Sequence, residues 1–94
     1  MSRQVSYPAI LDDAENDPGV YSVEFPDVPS ALTYGTGTAQ ALLRASEALG
    51  LSLYDASKLP EPTSLSDVQR SNPDKIVSLV AVDLDEIMKR VKIV

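Results

Sequence analysis

Close to Thr38 the apolar period of this chain changes, and that change limits the folds open to it. Before it, Val5, Tyr7, Ala9 and Leu11 alternate with Gln4, Ser6, Pro8 and Ile10, and Tyr21, Val23 and Phe25 alternate with Val20, Ser22 and Glu24. A two-residue period sends successive side chains to opposite faces of an extended backbone, so these segments read as half-buried strands. After it, Leu42, Ala45, Leu49, Leu53 and Ala56 recur at three- and four-residue steps, with Gln40, Arg44 and Glu47 off the stripe. That is an amphipathic helix packed on a sheet. A chain of 94 residues with both periods has room for one α/β core, and is near the size at which self-association helps to bury apolar surface.

Proline and glycine punctuate the pattern. Pro18 and Gly19 suit the two central positions of a type II turn, which closes the first two strands into a hairpin. Pro8 has no N–H for a ladder, so its strand is expected at an edge or a bulge. "PDVP" ends the second strand, and "SALTY", residues 30–34, forms a short third. Thr36 or Thr38 is positioned to cap the helix. Leu43, Leu51 and Tyr54 widen the helix's apolar surface, and Gly50 within it marks a bend or a close approach. Residues 58–75 form a Pro-rich connection with one short helical turn at "SLSDVQ". "KIVSLVAVDL", residues 75–84, is apolar on both faces, as in a strand inside a sheet covered on both sides. Asp83 and Glu86 have capping-box spacing at the start of a last helix. The expected order is β-β-β-α-β-α, with a mixed four-stranded sheet and one long helix packed on it.

The residue inventory excludes several chemistries. With no cysteine and no histidine, disulfides, thiolate metal sites, thiol catalysis and a Ser-His-Asp arrangement cannot be built. "GTG" at 35–37 lacks the lysine and spacing of a phosphate loop, and its glycines serve the turn from strand to helix. Asp12 or Asp13, Glu47 and Asp83 are the acids a Mg²⁺ nuclease of RNase H-like fold would use. The first strand, however, carries no acid before its end, Glu47 falls on the solvent side, and Asp83 caps the last helix. No catalytic residue, metal or cofactor is expected. No apolar run approaches a membrane span and no secretory signal is evident, so the protein reads as cytoplasmic without a membrane partner.

Charge gives the stronger lead. Fourteen acidic residues against eight basic ones leave a net charge of -6. Between Arg3 and Arg44 there is no basic residue, whereas Asp12, Asp13, Glu15, Asp17, Glu24 and Asp27 all fall there. Nucleic-acid affinity comes largely from Lys and Arg neutralising phosphates, which such a half-chain cannot supply. It suits a basic partner, or simply keeps the domain soluble. Tyr7, Tyr21, Phe25 and Tyr34 lie among these acids, where a base-stacking platform needs a basic groove.

"YPAIL", "GVYSVEFPDVPSALTYG" and "TAQALLRASEALGLSL" together resemble the HicB family of antitoxins from type II toxin-antitoxin systems. Tyr7, Pro8 and Ala9 match its first strand, Phe25, Pro26, Asp27 and Pro29 its second, and Thr33, Gly35, Ala41, Leu42, Ala45, Glu47, Ala48 and Leu49 its third element and helix. "LPEPTSL" is similar to the family's Pro-rich connection. Ser30 replaces a usual glycine, and Thr36 to Ala39 replace an acidic helix start. The resemblance implies a partial RNase H-like α/β sandwich over residues 1–94 without nuclease activity. It also implies a HicA-type partner, a small basic toxin that cleaves RNA through a catalytic histidine, and assembly as a homo-oligomer, dimer or tetramer. Many members continue into a domain that binds operator DNA, and this 94-residue sequence is expected to lack it. On that resemblance Asp12, Asp13, Glu24 and Asp27 are candidates for steering the toxin, and Tyr7, Phe25 and Tyr34 for packing on it. A stand-alone RNA-binding or RNA-processing domain and a structural oligomerisation module remain the alternatives.

Overall fold

In the computed structural model, which describes residues 3–92, three strands lead into a long helix. These are β1 (Gln4–Asp12), β2 (Val20–Glu24), β3 (Thr33–Thr36) and α1 (Thr38–Leu53). A short helix α2 (Leu65–Ser71), strand β4 (Ile76–Asp83) and helix α3 (Leu84–Lys92) follow. Residues 93 and 94, included in the expected last helix, lie outside the described ones. The order matches expectation with one addition: the turn anticipated at "SLSDVQ" is a seven-residue helix, capped by the Ser64 hydroxyl accepting from the Asp67 N–H at 3.2 Å. Its addition reverses β4.

The four strands lie in the order β3-β2-β1-β4, and every pairing is antiparallel. A mixed sheet was the expectation, and the connection explains the difference. Helix α1 starts beside the hairpin turn, where the Gly37 N–H donates to the Gly19 carbonyl, and ends near Arg3, whose guanidinium donates to the Tyr54 carbonyl. Residues 55–75, with α2 among them, then carry the chain back along the sheet. β4 therefore begins with Ile76 opposite Leu11 and ends with Asp83 opposite Gln4.

The hairpin turn forms as its residues dictate. Gly19 has φ +83°, and the Val20 N–H donates to the Asp17 carbonyl across Pro18-Gly19 at 3.0 Å. Pro8 is a correction, because β1 is a central strand. The Leu84 N–H donates to the Arg3 carbonyl, and alternation along the β1–β4 register then puts Pro8 opposite Leu79 in a non-hydrogen-bonded pair. The missing N–H is directed at the other flank, where the β2 ladder begins only at Ile10. The connection after α1 passes this gap: the Tyr7 hydroxyl donates to the Pro60 carbonyl at 2.7 Å, and Asp27 accepts from the Thr63 N–H and hydroxyl at 2.8 and 2.6 Å.

The principal core lies on the face carrying Tyr7, Ala9, Leu11, Val23, Val80 and Val82, against Ala41, Ala45, Leu49 and Leu53 of α1. Ala41 takes the place expected for Leu42, which is only half-buried, so the helix's buried stripe is rotated slightly from the periodic reading. No threonine caps α1. Gly37 occupies the N-cap at φ +80°, and the Gln40 side chain accepts from the Thr36 N–H instead. Asp83 accepts from the Asp85 N–H at 3.0 Å, as its capping position requires. Gly50 marks a close approach: a Cβ there would stand 2.5 Å from Ile87 Cγ1 of α3. β4 is not the covered inner strand its apolarity suggested. It is an edge, with Leu79 51% and Ile76 42% exposed.

Candidate partner-binding site

Strand register brings part of the acidic half onto one surface. Asp12 is opposite Ser22, Ser22 is opposite Tyr34, and Ile10 is opposite Glu24, so these five side chains share the sheet face turned away from α1. There they line an open groove of about 440 Å³, together with Glu15 from the hairpin turn and Leu32 from the approach to β3. Its floor includes buried Ile10, while Leu32 and Tyr34 are 66% and 64% exposed at the rim. Large apolar groups on a rim of carboxylates offer both a desolvation gain and a charge preference to a ligand.

The hairpin wall is held in place. The Asn16 amide donates to the carbonyls of Asp12 and Val20 and to the Ser22 hydroxyl at 3.4, 2.9 and 2.9 Å. Asp12 accepts from the Ala14 N–H at 3.0 Å and faces the Lys75 ammonium at 3.4 Å. These two partners, the N–H first, hold its carboxyl below the ordinary aspartate value of 3.8.

The seven residues singled out from sequence divide sharply. Asp12, Glu24 and Tyr34 meet at the groove. Asp13 lies on the adjoining turn, half-buried, and its carbonyl accepts from the Asn16 N–H. Asp27 stands beyond the other end of β2, occupied by Thr63. Tyr7 and Phe25, expected to pack on a partner, lie inside this chain's own core, 2% and 1% exposed. Both alternate correctly with their strands, but the buried face is theirs. Burial, with Asp27 and Glu61 nearby, pushes the Tyr7 hydroxyl above its ordinary pKa. Glu15 and Leu32 were missed. The signal for Leu32 was a large apolar residue just outside a strand. Glu15 was within the acidic run read from the sequence, but only the folded turn carries it to the groove.

The acids weighed for nuclease chemistry do not converge. Asp12 and Asp83 flank opposite ends of β1, roughly 26 Å apart at the rise of an extended strand. Among the described residues no three acidic side chains are placed to hold a metal ion. Nor is any helix long and apolar enough to cross a membrane.

What the fold presents, then, is an α/β sandwich with an acidic, partly apolar groove on its sheet. The chain belongs to the HicB-like antitoxins of bacterial toxin-antitoxin systems: the family so described matches residues 7–94. Among solved structures, the chain is similar to one from a toxin-antitoxin complex of Streptococcus pneumoniae. Identity is 29%, with 89% of this chain and 72% of that chain covered at a TM-score of 0.72. It is also similar to the N-terminal domain of the antitoxin HicB of Burkholderia pseudomallei, at 18% identity, 81% and 95% coverage and a TM-score of 0.61. That likeness supports the fold alone. A comparison with curated proteins finds no match.

Proposed function

We propose that this antitoxin neutralises a small basic RNA-cleaving toxin of the HicA type by seating the toxin's cationic RNA-binding face on the groove bounded by Asp12, Glu15, Glu24, Leu32 and Tyr34. The single observation that supports this reading is the acidic rim around two exposed apolar side chains, in a chain of the antitoxin family. Carboxylates steer a cationic partner and accelerate encounter, an effect that salt screens. Tyr34 and Leu32 bury apolar area and set the lifetime of the complex. Asp13 on the adjoining turn adds to the field. RNA is excluded because its binding face is occupied. The same surface repels nucleic-acid phosphates, which disfavours the RNA-binding alternative and leaves operator binding to a separate basic domain.

The test is co-expression with a small basic toxin of the HicA type, sought as a short basic reading frame beside this gene, followed by size-exclusion chromatography at low and high salt and an RNA-cleavage assay. Co-elution and loss of RNA cleavage are expected, with binding of the Glu15→Lys/Glu24→Lys variant weakened most at low salt. Failure of the wild-type pair to associate at low salt would overturn the reading, as would RNA cleavage by the isolated antitoxin with Mg²⁺.

A further inference from the structure

The groove's acids are not all alike, because the chain itself supplies a cation to one of them. Lys75 enters the sheet one step beyond the last β1–β4 pair, Leu11 opposite Ile76, and its ammonium lies 3.4 Å from Asp12 Oδ2. The return connection fixes it there: the Lys75 N–H donates to the Asn72 carbonyl at 3.2 Å, and the Asn72 amide donates to the Val68 carbonyl of α2 at 2.9 Å. Asp12 Oδ1 is taken by the Ala14 N–H. Glu15 and Glu24 are in no ion pair among the described residues. One row of side chains therefore crosses the groove face, in the order Tyr34, Ser22, Asp12, Lys75. Tyr34 and Asp12 stand two strands apart, about 10 Å at ordinary strand spacing. Between them is short, exposed Ser22, its hydroxyl accepting from the Asn16 amide. The space above Ser22 thus has an aromatic ring on one side and a carboxylate on the other, with Glu24 diagonal to Tyr34.

We infer that this row selects an arginine of the partner: its guanidinium sits over Ser22, stacks on Tyr34 and takes the Asp12 carboxylate from Lys75. The inference rests on the proposed reading of the groove as the seat of a cationic protein face, and adds which cation the groove prefers and what that cation displaces. The preference follows from exchange. A partner lysine that displaced Lys75 would put one ammonium in place of another and gain nothing at Asp12. A guanidinium is more weakly hydrated, stacks on an aromatic face, and has donors enough for Glu24 as well as Asp12. Lys75 is then a specificity-determining residue, a resident competitor that a partner lysine only matches and a partner arginine exceeds.

The test needs no toxin. Hexa-arginine and hexa-lysine peptides, equal in charge, are titrated into the 94-residue chain at low salt and followed by its amide NMR shifts. Hexa-arginine is expected to bind about threefold more tightly, shifting Ser22 and Tyr34, and Tyr34→Leu is expected to remove that difference. Lys75→Gln should raise the affinity for both peptides about two- to threefold, the scale of an exposed ion pair. Lys89→Gln makes the same change in net charge on α3, where Lys89 faces Glu86 at 3.2 Å, and should change neither affinity. In an Asp12→Asn background the gain from Lys75→Gln should vanish. Equal binding of the two peptides, equal gains from Lys75→Gln and Lys89→Gln, or a gain that persists without the Asp12 carboxylate would overturn the inference. None of these results would touch the reading of the groove as the toxin's seat, which stands or falls on association of the wild-type pair.

Discussion

The two edges of this sheet have the same backbone problem and opposite side-chain answers. β3 is four residues long, contains a glycine, and sits beside Glu15, Glu24 and Asp12 across the sheet face. β4 is eight residues long and almost wholly apolar. A short edge with nearby like charges offers little ladder to another chain but projects a field beyond it, which favours cations over anions. A long edge whose only charge is at its end, Asp83, has little reach, and any contact there would draw on ladder hydrogen bonds and buried apolar area. The comparison teaches that the two edges of one small sheet can differ in reach through side-chain chemistry alone.

The largest effect expected to separate the edges is that of Tyr34→Ala combined with Leu32→Ala. Truncating a central anchor costs about 2 kcal/mol, so toxin Kd should rise roughly thirtyfold by titration calorimetry, while Leu79→Lys on β4 should leave it within a few-fold of wild type. Equal losses in both would break the comparison. Charge reversal at Glu15 and Glu24 should instead act mainly on the association rate and lose its effect in high salt.

Two glycines sharpen the contrast in stability. A Cβ on Gly35 in β3 would meet the backbone of α1 at 2.8 Å from the Ala41 nitrogen, and a helix backbone does not yield. Gly35→Ala should therefore destabilise the fold by about 1–3 kcal/mol in urea titration. At Gly50 the obstacles are side chains, Ile87 and Val82, and alanine gains about 1 kcal/mol of helix propensity there. Gly50→Ala should lose measurably less.

The smallest effect concerns pH. The folded-state carboxyl of Asp12 is held down by Ala14 and Lys75, and that of Asp85 chiefly by the Arg3 guanidinium at 2.7 Å. Their contribution to stability is full above the unfolded value of 3.8 and is lost as pH falls through the lower folded value. Asp12→Asn should flatten its part of the acid limb of a pH-melting series, and an unchanged limb would show that these exposed pairs contribute nothing.

Local signals were read well from the chain. The Pro18-Gly19 turn, the hairpin faces, the long helix and the role of Asp83 follow from interactions within a few residues, and the family resemblance rests on them. The acid-rich half was also visible, though not its partition between groove and Asp27. Alternation correctly grouped Tyr7 with Val5, Ala9 and Leu11, but a period cannot say which of two faces will be covered. Phe25 was drawn into the candidate site for the same reason.

By itself the sequence determined the elements, their order and the sign of the surface, because periodicity, turn chemistry and charge are carried by neighbouring residues. Only the tertiary structure decided that α2 returns the chain so that β4 runs antiparallel at an edge, that Tyr7 and Phe25 are interior, and that Glu15 meets Glu24 and Tyr34. Those outcomes depend on strand order and register, which join residues far apart in the chain and have no local code.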